Sequence, residues 1–300
     1  MVSKLNDDKR KWKKRLFVFT LFAPSLIILL VVVAYPLIRS LILSFRDYNL
    51  LTPMSNPFVG LDNYRQIFND QIFWVAFKNT MIFNLGAVIG GFLIGFILAL
   101  ILNSEIKFRK LFRSLFMTSW VVPYVIIGFL FLFMFNSKIG IVNYTLKRLN
   151  IINDFLHWFS RGQLAMTTVV LATIWNQFPF HMVTFLAGLQ TIPENLKEAA
   201  RIDGASSWQI FRYITLPWMR NIIMISTTLM MITNFNNFAI IWTITEGGPI
   251  RSTTTFVIYV FQKAFVEFNF GYASAIGIIW LLFLVGFAWF YIKLMNKEVV

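Results

Sequence analysis

Two stretches of this 300-residue sequence place side-chain amides among apolar residues, where an unpaired amide is costly. Each set has the i, i+3, i+4, i+7 spacing of one helix face: Met230, Thr233, Asn234 and Asn237 in the first, and Thr173, Asn176, Gln177 and Phe180 in the second. Amides donate to and accept from the hydroxyl groups of a polar solute, and an aromatic face can pack against a ring. Hydrogen bonding between neighbouring helices is the alternative use of such residues.

Residues suited to covalent, acid–base or metal chemistry are sparse. The chain has no cysteine, and its two histidines, His157 and His181, are far apart in sequence, so the residues indicate no metal site. No catalytic dyad is visible, and no glycine-rich loop ending in Lys-Ser/Thr that would bind a nucleotide phosphate. We therefore expect no catalytic residue, no metal and no cofactor in this chain.

The composition places these residues in a membrane protein. Hydrophobic residues make up 58% of the chain and charged residues 13%, against about 25% charged in soluble domains. The net charge is +14, but the basic residues flank apolar runs and do not form a patch interleaved with aromatics. This distribution indicates a lipid bilayer as the surroundings and argues against nucleic acid.

Six apolar segments are long enough to cross about 30 Å of hydrocarbon. They are residues 16–43, 74–102, 111–135, 164–190, 218–244 and 272–294. We predict an all-α, polytopic membrane helix bundle, with a basic N-terminus at 1–15 and one transmembrane domain at 16–300. Because Lys and Arg are more frequent on the side that holds the N-terminus, both termini are expected to be cytoplasmic. The connection 136–163 opposes this trend, since its four basic residues lie on the external side of the membrane in this orientation.

Glycine and proline predict two features of the packing. Gly86, Gly90, Gly91 and Gly95 form two successive GxxxG patterns in the second segment, which allow close helix approach within one subunit or between subunits. Prolines in the third and fourth segments, Pro123 and Pro179, are expected to break or kink their helices.

The loop 191–217 is an ordered, charged element between two apolar segments. Thr191 with Glu194 reads as a capping box that opens a helix, and Gly204 suits the left-handed residue that ends it. Ser206 with Gln209 reads as a second capping box, opening a short helix through residue 213. Its acidic and basic residues balance and its apolar face contains alanines, which favours a protein partner over a lipid surface.

The same loop resembles a known family. Glu198-Ala-Ala, then Gly204, then Ile214-x-Leu216-Pro217 is similar to the EAA signature of membrane subunits of binding-protein-dependent ABC importers. The segments SFRDYNLLTPMSNPFVGLDNYRQIF, TEGGPIRSTTTFVIYVFQKAF and NFNNF resemble sugar-importer permeases of the maltose and glycerol-3-phosphate type. The resemblance implies the type I importer permease (MetI-like) fold. It also implies coupling to an ATPase through Glu198, Ala199, Ala200, Arg201, Asp203, Gly204, Leu216 and Pro217.

The resemblance further implies partners and a substrate class. The partners are a second permease subunit, two ATP-binding cassette ATPase subunits that bind ATP and magnesium, and an extracellular sugar-binding protein. The location is a bacterial cytoplasmic (inner) membrane. Because no Lys or Arg lies in the helical turns that carry these amides, a neutral oligosaccharide is favoured over an anionic solute. The alternatives are an importer of the same architecture for glycerol phosphate or another non-sugar solute, and an ion-coupled secondary transporter.

Overall fold

The fold is taken from a computed structural model of the chain. The structure describes residues 2–52, 54–104 and 106–296, with backbone alone for 2–11, 15, 16, 292 and 294–296. Much of the basic N-terminus predicted at 1–15 therefore lies outside the described side chains.

The described residues are helical and contain no β-strand, only the isolated bridges Arg46–Phe58 and Asn49–Asn269. The α-helices are α1 Val2–Ile28, α2 Tyr35–Ser44, α3 Asp62–Asn69, α4 Gln71–Asn103, α5 Arg109–Val121, α6 Tyr124–Met134, α7 Ile141–Arg148, α8 Gly162–Leu189, α9 Glu194–Ile202, α10 Ser207–Ile210, α11 Leu216–Phe235, α12 Ala239–Thr245, α13 Phe256–Phe261 and α14 Phe270–Asn296. Three π-helical turns, Leu29–Ala34, Phe211–Thr215 and Gln262–Val266, continue neighbouring helices. The all-α prediction is confirmed.

Four described helices are long and apolar enough to cross a membrane: Trp12–Ser44, Gln71–Asn103, Gly162–Leu189 and Phe270–Tyr291. A fifth span arises if α5 and α6, which meet at a bend of 97°, count as one. Pro123 causes this bend, because it follows the extended Val122 and starts α6.

The prediction of six spans is not confirmed. The segment predicted at 218–244 is divided between α11 and α12 by residues 236–238, and neither helix alone meets the length and apolarity of a span. The physical reason is that Arg220, Asn221 and Asn234 lower the apolarity of α11, and that Asn236 and Asn237 follow directly after its end.

One compact unit comprises the residues up to Asn69 together with Lys263–Leu281. Its span Trp12–Ser44 buries none of its apolar window, so this helix contacts little else in the chain. The loop after it is held by Asn63, whose Nδ2 donates to the carbonyls of Ser44 and Arg46 at 2.9 Å each. Asn63 belongs to the short helix α3.

A second unit comprises Asp70–Gln262 and the residues from Leu282 onward. Its centre is the pair α4 and α8, which run parallel: Gly86 faces Val170, and Gly95 faces the backbone of Met182. The GxxxG glycines therefore pack within this subunit. Pro179 lies inside α8 without ending it, so the predicted break does not occur there.

The pairing of helices assigns the ends of this unit to two sides. α11 runs antiparallel to α8, since Gly188 faces Met219 and Gln177 contacts Asn234. The C-termini of α4 and α8, the helix α9 and the N-terminus of α11 therefore lie on one side. The N-termini of α4 and α8 and the segment 136–161 lie on the other.

Candidate functional site

The side chains of Gln177 and Asn234 meet between α8 and α11. Gln177 Nε2 donates to Asn234 Oδ1 at 2.6 Å, and each residue is only 2% exposed. The remaining atoms of the two amides, Gln177 Oε1 and Asn234 Nδ2, have no hydrogen-bond partner among the described residues. One residue from each predicted face is thus brought into direct contact, and each keeps one of its two polar side-chain atoms without a described partner.

Asn237 lies beside this pair but not on the same helical face. α11 ends at Phe235, and the backbone N–H of Asn237 donates to the Asn234 carbonyl at 3.1 Å in the turn that follows. The side chain is 4% exposed, and neither Nδ2 nor Oδ1 has a partner in the described residues. The expected i, i+7 relationship is wrong here because the helix ends two residues earlier.

The other α8 residues turn towards α5. Asn176 Nδ2 donates to the Ser119 carbonyl at 2.9 Å, while Asn176 Oδ1 is left without a partner in the described chain. Phe180 packs on Trp120, with 6.1 Å between ring centroids. These two residues and the Gln177–Asn234 pair therefore face different neighbours.

The remaining predicted residues make contacts within their own helices. Thr173 Oγ1 donates to the Val169 carbonyl and Thr233 Oγ1 to the Leu229 carbonyl, at 2.9 Å each. Met230 is buried in α11. The hydroxyls can still accept a hydrogen bond, but these contacts also suit simple helix packing.

Two polar contacts near the site, made by Asn84 and His181, are not predicted from the sequence. Asn84 on α4 donates from Nδ2 to the Met231 carbonyl at 2.9 Å, and its Oδ1 is buried without a described partner. His181 Nδ1 lies 2.7 Å from Ser226 Oγ, which links α8 to α11 closer to the α9 side. Asn84 could have been found as an isolated amide in an apolar segment, as Asn234 was.

Gln177, Asn234 and Asn237 are only 2–4% exposed, so their amides are shielded from solvent. A cavity of about 620 Å³ lies instead at the N-terminal ends of α4 and α8. Its lining residues are Val75, Lys78, Asn79, Ile82, Gly162, Gln163, Met166, Thr167 and Ser252. The amide cluster is closed in this conformation.

The charged loop on the other side contains α9. Lys197 Nζ lies 3.0 Å and Arg201 Nη1 3.5 Å from the Glu194 carboxylate. The hydrogen bond from Lys197, with its charge, holds the pKa of Glu194 below its usual range. Glu198 is exposed, and the described residues offer it no ion pair.

The ends of α9 differ in part from the sequence prediction. Gly204 adopts φ +81°, and the N–H groups of Gly204 and Ala205 donate to the carbonyls of Arg201 and Ala200, as expected of a left-handed C-terminal cap. The capping box at Thr191 is wrong. Thr191 Oγ1 donates to the Gly188 carbonyl and accepts from Trp218, so α9 has no side-chain cap.

The second predicted capping box is confirmed, but the helix it opens is not short. Ser206 and Gln209 exchange both bonds of the box at 3.3 and 2.7 Å. From Ser207 the chain then stays helical through α10, the π-helical turn and α11 as far as Phe235. Leu216 and Pro217 lie inside this run, where proline is tolerated in the first turn of α11.

The outward side chains of this loop include large apolar ones. Ile202 is 86%, Trp208 68% and Tyr213 75% exposed. Ala199 and Asp203 are also exposed, and Ala200 is half-buried. Among the residues of α9, none is buried by the rest of the described chain. This surface is available to a partner.

Comparisons with known proteins agree with this architecture. Residues 91–293 match the family described as binding-protein-dependent transport system inner membrane component. A probable ABC transporter permease protein of Pyrococcus horikoshii is 32% identical over 268 residues, which cover 89% of this chain and 91% of the relative. The sulfoquinovosyl glycerol transport system permease SmoG of Agrobacterium fabrum is 32% identical over 265 residues, covering 88% and 85%. The sn-glycerol-3-phosphate permease UgpA of the same organism is 30% identical over 287 residues, covering 94% and 95%.

A solved structure gives the same fold. A chain of a bacterial alginate ABC transporter, crystallised with an alginate pentasaccharide-bound periplasmic protein, superposes with a TM-score of 0.80 at 22% identity. The match covers 95% of this chain and 94% of that one. The helix order, the polar loop and these matches agree, and the chain belongs to the family of inner membrane components of binding-protein-dependent transport systems.

Proposed function

We propose that this chain is the permease subunit of an ATP-driven importer that carries a carbohydrate delivered by an external binding protein. The observation that supports it most is the cluster of buried amides with unused hydrogen-bonding atoms at Gln177, Asn234 and Asn237. Such groups are expensive in an apolar interior unless a ligand or water uses them in another conformation. Sugar hydroxyls match their mixed donors and acceptors.

The site favours a neutral sugar. The donors and acceptors near Asn234 are amides and hydroxyls, and α8 and α11 carry no cation in the turns around them. An anionic solute would gain from a nearby Arg or Lys. Phe180 and Trp120 offer ring faces beside Asn176, a pairing that suits a pyranose ring.

The second candidate is an anionic solute of the glycerol phosphate class, imported by the same architecture. Two relatives at 30% and 32% identity carry the names of permeases for sn-glycerol-3-phosphate and sulfoquinovosyl glycerol. In that case the cation would come from a partner subunit. An ion-coupled carrier is disfavoured because no Asp or Glu lies centrally in α4, α8 or α11.

Coupling to ATP hydrolysis would run through the loop 191–217. Glu198 is free to pair with a basic group of an ATP-binding subunit, and Ala199 and Ala200 allow close approach. Ile202 and Trp208 add exposed apolar area, which is enriched in interface cores. ATP and magnesium would bind to the two ATPase subunits, so this chain supplies no catalytic group.

The assembly would contain a second permease and the external binding protein. The uncovered span Trp12–Ser44 is a surface for lipid or for the second permease. The excess of Lys and Arg on the side that holds the N-terminus supports a cytoplasmic position of both termini.

Reconstituted proteoliposomes test the proposal. The complete importer, with ATP inside and binding protein outside, is offered labelled neutral oligosaccharides, glycerol phosphate and a uronate oligomer. We expect ATP-dependent uptake of a neutral sugar. Selective uptake of glycerol phosphate would support the second candidate, and uptake driven by an ion gradient without ATP would overturn both.

A further inference from the structure

The segment 136–161, which links α6 to α8, carries an excess of positive charge. It contains four cations and one carboxylate: Lys138, Lys147, Arg148, Arg161 and Asp154. None of the four cations forms an ion pair among the described residues. Positive charge is unusual on the membrane side opposite the coupling loop, so the charge calls for an explanation from local structure.

Asn143 gives the segment a fixed shape. Its Nδ2 donates to the carbonyls of Ser137 and Leu156 at 3.2 and 3.0 Å. Its Oδ1 accepts from the Leu156 N–H at 3.2 Å and from Trp158 Nε1 at 2.9 Å. One fully buried side chain thus satisfies four bonds and joins both ends of the segment, which is expected to limit its motion.

The end of α7 is fixed as well. Asn150 takes φ +57°, and the N–H groups of Asn150 and Ile151 donate to the carbonyls of Lys147 and Leu146 at 3.0 Å each. This is the cap in which the residue after the left-handed position is usually apolar and packs back on the helix. Here Ile151 is 63% exposed instead.

Large apolar side chains are exposed throughout this rigid segment. The exposed ones are Ile139, Ile141, Tyr144, Leu149 and Ile151. Lys147 and Arg148 lie in the last turn of α7, next to them in sequence, and Lys147 Nζ lies 5.4 Å from the centroid of the Phe155 ring. A patch of apolar residues with cations in the same helix suits the boundary between acyl chains and headgroups.

The position of the segment next to the start of α8 agrees with such a boundary. Gly162 begins a spanning helix directly after the segment, so residues 136–161 lie where that helix leaves the hydrocarbon. We propose that this segment, which we call the interfacial patch, binds anionic phospholipid headgroups of the leaflet opposite α9. Its apolar side chains enter the acyl region, and Lys147 and Arg148 contact the phosphates.

A protein partner fits the patch less well. An interface with the external binding protein would place polar, wetted residues at its rim and aromatics at its centre. Here the exposed residues are mostly aliphatic and the cations lie beside them, which is the arrangement of membrane-surface helices. Lipid binding then explains why the segment keeps positive charge on the membrane side where Lys and Arg are usually rare.

The absence of cysteine from the sequence allows a clean test. Ile151→Cys in the full chain is labelled with an environment-sensitive fluorophore and placed in phosphatidylcholine nanodiscs. Phosphatidylglycerol carrying a nitroxide in its headgroup region is then titrated in. Asn153→Cys, an exposed polar position of the same segment, is the matched label control.

We expect strong quenching and a blue-shifted emission at residue 151, and little change at residue 153. Lys147→Gln/Arg148→Gln should lower the preference for phosphatidylglycerol about fivefold per cation removed. Lys107→Gln/Lys110→Gln, on the other membrane side, should leave it unchanged. An unquenched, water-exposed label at residue 151, or one shielded only when the external binding protein is added, would overturn the proposal.

Discussion

Gln177 on α8 and Asn234 on α11 share one hydrogen bond of 2.6 Å inside the bundle, and each keeps a polar atom without a described partner. The pair therefore links two helices while retaining donors and acceptors for something else. If the helices separate during transport, the same amides become available to a solute.

The first prediction concerns this pair. Asn234→Ala and Gln177→Ala should each abolish or narrow uptake, because each removes a solute contact as well as the interhelical bond. In a double-mutant cycle on unfolding, the coupling should be about 0.6 kcal/mol, typical of polar pairs in membranes. Uptake and detergent-resistant assembly are measured together. Loss of assembly with unchanged solute selectivity would favour a packing role.

The second prediction separates Asn237 from its neighbour. Asn237→Ala removes two buried atoms without described partners, which each cost about 1–3 kcal/mol when left unsatisfied, so stability should stay equal or rise. Uptake should fall. Asn236→Ala is the control, since Asn236 is exposed and bonds back to the Ile232 carbonyl. Equal uptake in both variants would remove Asn237 from the solute site.

The third prediction concerns the coupling surface. Glu198→Lys should reduce co-purified ATPase subunit and solute-stimulated hydrolysis more than Glu198→Ala, because it adds repulsion. Loss of a desolvated charge at an interface weakens association roughly 30-fold or more. Gly204→Asp should also be severe, since an aspartate is strained at φ +81°. Unchanged hydrolysis in Glu198→Lys would mean that this face of α9 is merely solvated.

The fourth prediction tests the packing of α4 on α8. A Cβ at Gly95 would lie 2.9 Å from Met182 N and Phe178 O, so Gly95→Val forces the backbones apart. We expect a loss of about 1–3 kcal/mol in stability, measured by thermal unfolding in detergent. Gly286→Ala is the control, because nothing lies within 4 Å of its Cβ position. A tolerated Gly95→Val would show that the helices do not pack this closely.

The fifth prediction concerns orientation. Asn153→Cys should react with a membrane-impermeant maleimide in intact cells. Asn195→Cys should react only after the cells have been permeabilised. The two positions flank opposite ends of α8, so their labelling should differ whichever way the chain is oriented in the membrane. Labelling of Asn195 from outside would reverse the predicted cytoplasmic placement of the termini.

Much of the helical framework follows from apolar length and helix-end residues. The GxxxG glycines predicted close helix packing, and Gly204 predicted the left-handed end of α9, since both depend on local sterics. Hydropathy does not predict the break after Phe235, because the apolar residues of 218–244 outweigh Asn234, Asn236 and Asn237 and the pattern is continuous. The capping box predicted at Thr191 is wrong because the sequence motif does not show that its hydroxyl bonds to Gly188 and Trp218 instead.

The candidate site could be predicted by residue type but not by contact. Isolated amides in apolar segments identified Asn234 and Gln177, yet periodicity could not show that they bond to each other. It also could not show that Asn176 turns to Ser119 on α5. Those contacts depend on how α5, α8 and α11 pack, which one sequence does not specify.

The helical run from Ser207 to Phe235 has a mechanical consequence. At about 1.5 Å per residue it is roughly 40 Å long, and it begins next to α9 and ends at the amide cluster. A rod of that length acts as a lever: a tilt of about five degrees displaces one end by roughly 3–4 Å relative to the other. A displacement of that size exceeds the tolerance of a 2.6 Å hydrogen bond, so such a tilt would part Asn234 from Gln177.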